Sequence, residues 1–181
     1  MGIYSNAPIH FLPNHVCADA AAWEAIMRYS RQQLESIARV RTARRMRRHY
    51  ATLWNQGTIF ECELMGVYGE AAYAAFADAS IDERDLRNGD AGRDFDCGLG
   101  SVDVKTTKWG GAYLKVKVGK PCADVLVLAW YDSVNRATRL LGWTTRAKLL
   151  EQPITRSPYG HDNYELHVSK LYAMHVLPRV N

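Results

Sequence analysis

The spacing of apolar and polar positions changes character near residue 90. Before it, apolar residues recur at helical intervals. Trp23, Ile26, Met27, Leu34 and Ile37 predict a helix that starts at an N-cap on Asp19 and runs towards Trp54, with room for a break near Val40–Thr42. Gln56-Gly57 is expected to close that region, and a second helix follows from about Thr58 to Asp78. The stretch from Ser80 to Gly92 is polar and turn-rich. It predicts a loop with a short helical turn at Ile81–Leu86.

After residue 90 the period shortens. Asp94-Phe95-Asp96, the turn Cys97-Gly98-Leu99-Gly100 and Ser101–Thr107 predict a hairpin. Tyr113–Val118 alternates, with Leu114, Val116 and Val118 against Lys115 and Lys117, as in a strand with one wet face. Val125–Tyr131 is apolar throughout and suits a central strand buried on both faces. Thr138–Trp143 predicts another strand, and Thr144 can cap a short helix over Arg146–Glu151. A weaker strand-then-turn pattern covers Tyr164 to Val176. Helices followed by strands predict an α/β (α+β) fold with one mixed central sheet flanked by helices. The expected organisation is an N-terminal helical region, 1–57, packed on a core of 58–181.

At 181 residues, 48% hydrophobic and 23% charged, the chain has ordinary globular composition and length for one domain. No apolar run approaches the roughly 20 residues that span a bilayer, and the N-terminal MGIYSNAPIHFLPNH lacks the pattern of a secretory signal. Cys17, Cys62, Cys97 and Cys122 are widely separated with no CxxC, so neither a zinc spacing nor a disulfide framework is indicated. A soluble intracellular protein with reduced thiols is expected.

The formal charge of +4 hides a local feature. Six arginines, Arg39, Arg41, Arg44, Arg45, Arg47 and Arg48, fall in a stretch without an acid. Of the 23 basic residues, 17 then remain against 19 acids. Arg41, Arg44, Arg45 and Arg48 follow i, i+3, i+4, i+7 and form one stripe on a helix. Ala43, Met46, Tyr50, Leu53 and Trp54 centre on the opposite side. Arginines without acidic neighbours suit phosphate contacts; they equally suit a solvated face, or pairing with acids elsewhere. Lys108, Lys115, Lys117 and Lys120 could add to a basic surface.

The chemistry-bearing stretch runs from Gly92 to Thr107. In a strand, residues i and i+2 share a face, so Asp103 and Lys105 project together while Val102 and Val104 face a core. An acid from Asp94–Asp96 can lie beside Asp103 across the hairpin. Two carboxylates and an ammonium on one sheet face suit metal-assisted hydrolysis of a phosphodiester. The same residues also suit an exposed hairpin with surface ion pairs. On the preceding helix, Glu63 and Glu70 are seven apart and lie within about 20° of each other, with Gly66 and Ala74 beside them to admit a neighbouring element. No GxxxxGK[ST] or GxGxxG is present, and the six histidines show no zinc spacing.

These residues resemble the PD-(D/E)XK nucleases, which have the restriction-endonuclease-like fold. Asp103-Val104-Lys105 matches the (D/E)XK element, Asp94 followed by Phe95 the upstream aspartate, and Gly69-Glu70-Ala71 the helical Gly-Glu-x-Ala element. Ala123–Leu128 and Leu141-Gly142-Trp143 look like the later strand and Gly-Trp turn of phage and bacterial members. The resemblance covers about residues 58–150. Arg93 stands in place of the proline, eight residues separate Asp94 from Asp103, and Asp96 rivals Asp94 as Glu63 rivals Glu70.

The resemblance implies a Mg²⁺-dependent endonuclease acting on DNA, branched or structured DNA included, with Mn²⁺ as a substitute. Asp94 and Asp103 would bind metal, Glu70 would complete or support the site, and Lys105 would place the attacking water. Arg41, Arg44, Arg45, Arg48 and Lys108 would hold the nucleic acid. Homodimers are common in the family, and no membrane partner is implied. The alternative is a non-catalytic protein on the same fold that binds nucleic acid or a nucleic-acid enzyme.

Overall fold

The computed structural model describes residues 29–48, 56–81, 92–108, 113–120, 123–134, 137–157 and 160–178. Its elements are α1 (Arg31–Arg48), α2 (Gln56–Phe76), β1 (Phe95–Cys97), β2 (Gly100–Thr107), β3 (Tyr113–Lys117), β4 (Val125–Asp132), β5 (Ala137–Thr145), α3 (Arg146–Leu150), β6 (Ile154–Arg156) and β7 (Asp162–His167), followed by two 3₁₀ turns. The expected N-cap Asp19, residues 82–86 of the expected helical turn and the apolar positions Tyr50, Leu53 and Trp54 lie outside the described residues.

The start of α1 is set by a capping box. Ser30 Oγ accepts from Gln33 N at 3.2 Å, and Gln33 Oε1 accepts from Ser30 N at 2.7 Å, so two orphan donors are satisfied reciprocally. The helix then runs without a break through Val40–Thr42. Gln56 opens α2 rather than closing the preceding region. That helix ends where Asp78 takes φ +55 and Ala79 N donates to Ala74 O at 2.7 Å. This six-to-one closure is commonly built on glycine or asparagine.

One sheet has the order β1-β2-β4-β5 and a second the order β3-β7-β6. β1 and β2 form the expected hairpin, turning at Gly98-Leu99. β2 and β4 run parallel, and β4 and β5 antiparallel. β4 is the fully apolar strand and sits centrally, with Val125 to Ala129 buried. Alternation along these strands sends side chains to two different cores. Val102, Val104, Val125, Val127 and Ala129 meet α2 and α1, together with Leu34, Ala38, Val67, Ala71 and Tyr73. Leu126 and Leu128 point the other way, against Leu114 and Val116 of β3, Leu166 of β7 and Leu149 of α3.

The fold is therefore mixed α/β with two sheets, and the expectation of one sheet flanked by helices is corrected. Helices cover one face; the small second sheet and the short α3 cover the other. β3 leaves the main sheet because its wet-faced alternation needs only one buried side, which β7 and the underside of β4 provide. Thr145, not Thr144, caps α3, its side chain accepting from Lys148 N. Gly142-Trp143 lies inside β5 rather than in a turn. The Trp143 and Tyr172 backbones bridge each other, and a Cβ at Gly142 would meet Tyr172 O at 2.7 Å. Among the described residues no helix is long and apolar enough to cross a membrane.

Candidate active site

β1 is only three residues long, so β2 loses its antiparallel neighbour just as the Asp103-Val104-Lys105 stretch begins. Asp94 fills that gap. Its N donates to Val102 O at 2.8 Å, and its Oδ2 accepts from Val104 N at 2.7 Å. A side chain thus replaces the missing strand at an edge whose N–H groups would otherwise lack a ladder partner. The register Phe95↔Val102 brings Asp94 opposite Asp103.

Asp103 is buried, with its side chain 5% exposed, and Lys105 Nζ lies 2.8 Å from its Oδ1 and 2.6 Å from its Oδ2. The i, i+2 spacing makes this pair, as expected for one strand face. Lys105 remains 40% exposed, whereas its carboxylate partner is buried. Of the two rival acids at the hairpin, Asp96 stands apart. It is exposed, lies opposite Ser101 and bonds Arg93 at 2.6 Å.

Glu70 is delivered from the other side of β2. Gly69 permits its approach: a Cβ there would lie 1.9 Å from Thr106 Oγ1 and 3.3 Å from the Ala129 side chain. The close passage belongs to Gly69; a Cβ at Gly66 would meet nothing within 4 Å, which corrects the role expected for Gly66. Glu70 is buried, and both its oxygens accept from Arg41, Nη2–Oε2 measuring 2.7 Å. Its rival Glu63 pairs with Arg45 at 2.9 Å near the surface.

The arginine stripe is thereby corrected as well. On α1 the buried positions are Leu34, Ile37, Ala38 and Thr42, while Ala43, expected inside, is exposed. Arg41 and Arg45 lie on the side facing α2, and their acids come from that helix. No acid sits within the run itself, but Glu63 and Glu70, seven apart on α2, meet the two arginines four apart on an antiparallel neighbour. Arg44 is half-buried and Lys108 is exposed at the end of β2; the Arg48 side chain lies outside the described residues. Burial disfavours the Arg41 charge, yet the bonds and charge of Glu70, with Asp94 and Glu63 adding to them, hold its pKa above the ordinary arginine value. Arg41 is therefore a permanent cation lying within the electrostatic reach of Asp94.

The structure thus brings Asp94, Asp103 and Lys105 together at one strand edge, whereas Glu70 lies on the α2 side of β2 in the grip of Arg41. Among the described residues no group of three or more His, Cys, Asp or Glu is gathered to hold a metal ion. Asp94 and Asp103 could hold an ion that accepts one or two carboxylates and keeps several waters, as Mg²⁺ does. The donor chemistry does not suit a closed protein cage. The sequence reading missed the Arg41–Glu70 fork, whose signal was the matched i, i+4 arginines and i, i+7 acids on successive helices. No family model, curated protein or solved structure matches the chain.

Proposed function

We propose that the chain is a Mg²⁺-dependent endonuclease of the PD-(D/E)XK type, cleaving phosphodiester bonds of DNA. The observation that carries this reading is the gathering of Asp94, buried Asp103 and half-exposed Lys105 at the edge where β1 ends. Asp94 and Asp103 would hold the ion, and Mn²⁺ would substitute for it. When bound, the ion would lower the pKa of a bound water and offset charge on the phosphate. Lys105 is tethered by Asp103 on a half-exposed side chain, from which it would orient the attacking water or contact a phosphate oxygen. Glu70 supports the site from α2. Lys108, exposed just beyond Lys105, extends the positive surface along the strand.

A second reading has its own observation. The carboxylates of Asp103 and Glu70 are each matched by an internal cation, as in a structural ion-pair network on a non-catalytic nucleic-acid-binding protein.

Cleavage assays on plasmid, linear and branched DNA with Mg²⁺ or Mn²⁺ separate the two. Nuclease activity predicts metal-dependent cleavage that Asp103→Asn and Lys105→Ala each reduce by at least about a hundredfold, with the thermal transition retained. Cleavage unchanged by both substitutions overturns the site. Salt-sensitive binding without cleavage on every substrate supports the binding protein.

A further inference from the structure

The Arg41–Glu70 fork is hard to reconcile with Glu70 as a metal ligand, since a largely buried guanidinium side chain holds both carboxylate oxygens, whereas the lysine that holds both Asp103 oxygens is 40% exposed. It is equally hard to regard as an ordinary surface pair, since Glu70 is buried and Arg41 keeps only 23% of its side chain exposed. The fork uses two of the five N–H donors that a guanidinium carries. The Arg41 side chain is 23% exposed, and the charge of Asp94 acts on it. A planar cation clamped on one edge by a carboxylate presents its remaining donors in a fixed direction, a geometry suited to phosphate oxygens.

We propose that Glu70 is a positioning residue that holds Arg41 in place to contact a phosphate of the bound nucleic acid. This rests on the nuclease reading for the identity of the ligand, but the contact itself requires no cleavage. Glu70 then acts on substrate through Arg41 and leaves the metal to Asp94 and Asp103. The adjacent Arg45–Glu63 pair, more exposed at both ends, keeps the two helices in register.

The sign of one substitution separates this role from general electrostatics. Glu70→Gln removes a negative charge, which by charge alone strengthens attraction to DNA. If Glu70 positions Arg41, the same change weakens binding. The experiment measures anisotropy of a fluorescent DNA duplex and a branched junction with the full chain in EDTA across a salt series. The variants are Arg41→Gln, Glu70→Gln, their double, and the conservative Arg41→Lys and Glu70→Asp. Circular dichroism checks the fold of each.

The expected result is about tenfold weaker binding for Arg41→Gln and for Glu70→Gln, and no further loss in the double. The slope of log K against log salt should flatten by about 0.9. Glu70→Asp should recover binding in part, and it carries the test if Glu70→Gln does not fold. Where the wild type cleaves, the Mg²⁺ concentration for half-maximal rate should be unchanged by Glu70→Gln, or by Glu70→Asp in its place. Tighter or unchanged binding in the Glu70 variants overturns the proposal, as does a wild type that binds no DNA. A raised Mg²⁺ requirement with intact binding in EDTA also overturns it and returns Glu70 to the metal. Binding that follows the expected pattern without cleavage upholds the Arg41 contact and removes the nuclease reading alone.

Discussion

Gly69 shows how much of the site depends on one absent methyl group. Glu70 holds the Arg41 guanidinium, and its neighbour lets α2 approach β2 and β4 closely. Thr106 Oγ1, which a Cβ at Gly69 would strike, is buried and makes no hydrogen bond among the described residues. Gly69→Ala is expected to destabilise the fold by about 1–3 kcal/mol through overpacking, and to lower any activity more than stability explains. Adding Thr106→Ala should recover part of both losses, since the nearest clash is with the threonine hydroxyl. Urea denaturation of the single and double variants measures the recovery, and equal stability of Gly69→Ala and wild type would remove the close-packing account.

At the level of elements, α1 and α2 are joined by an apolar seam and two ion pairs of different depth. Arg41–Glu70 is largely out of solvent, whereas Arg45 is 53% exposed and Glu63 20%. Exposed pairs contribute roughly 0–1 kcal/mol. Breaking a buried one costs about 3–5 kcal/mol, because a charge is left without a partner. Arg45→Ala should therefore cost less than about 1 kcal/mol. Arg41→Ala should cost about 3 kcal/mol, near the lower end for buried pairs since the Arg41 side chain is not fully buried. Replacing both Arg41 and Glu70 by apolar residues should recover most of that loss. Equal costs for the two arginine variants would mean that depth does not distinguish the pairs.

At the scale of the molecule, the sheet is fastened where the hairpin, the parallel crossover and α3 converge. Asp124 Oδ2 accepts from Ser101 N at 3.0 Å and from Ser101 Oγ at 2.7 Å, and Asp124 O accepts from Arg146 N at 2.8 Å. Gly100, at φ +115, leaves room for that carboxylate; a Cβ there would lie 2.5 Å from Oδ2. The Ser101 hydroxyl bond, followed by the Ser101 backbone bond, holds the Asp124 carboxyl below the usual carboxylate range. Its stabilising effect is therefore complete above the unfolded value, near about 4, and is lost as pH falls through the lower folded value. Wild type should exceed Asp124→Asn in thermal midpoint at pH 6, with the gap closing towards pH 3. A gap independent of pH would show that ionisation of Asp124 plays no part.

The alternation in β2, β3 and β4 and the helical spacing of Leu34 and Ile37 are consequences of backbone periodicity, and they could be read from one dimension. So could the Asp103–Lys105 pairing, because two residues along a strand necessarily share a face. The capping box at Ser30 is equally local, since Ser30 and Gln33 are three residues apart. What one dimension did not contain was partnership between distant segments. Whether Arg41 faces solvent or Glu70 depends on the rotation of α1 against α2, and that rotation is set by burying Leu34, Ala38 and Thr42. Whether β3 joins the main sheet or covers it depends on which partner buries Leu114 and Val116. Local periodicity thus determined the strands, the helices and the acids with the lysine of the hairpin. Only long-range packing decided that the arginine stripe would be divided, one guanidinium being fixed by a buried carboxylate of the neighbouring helix.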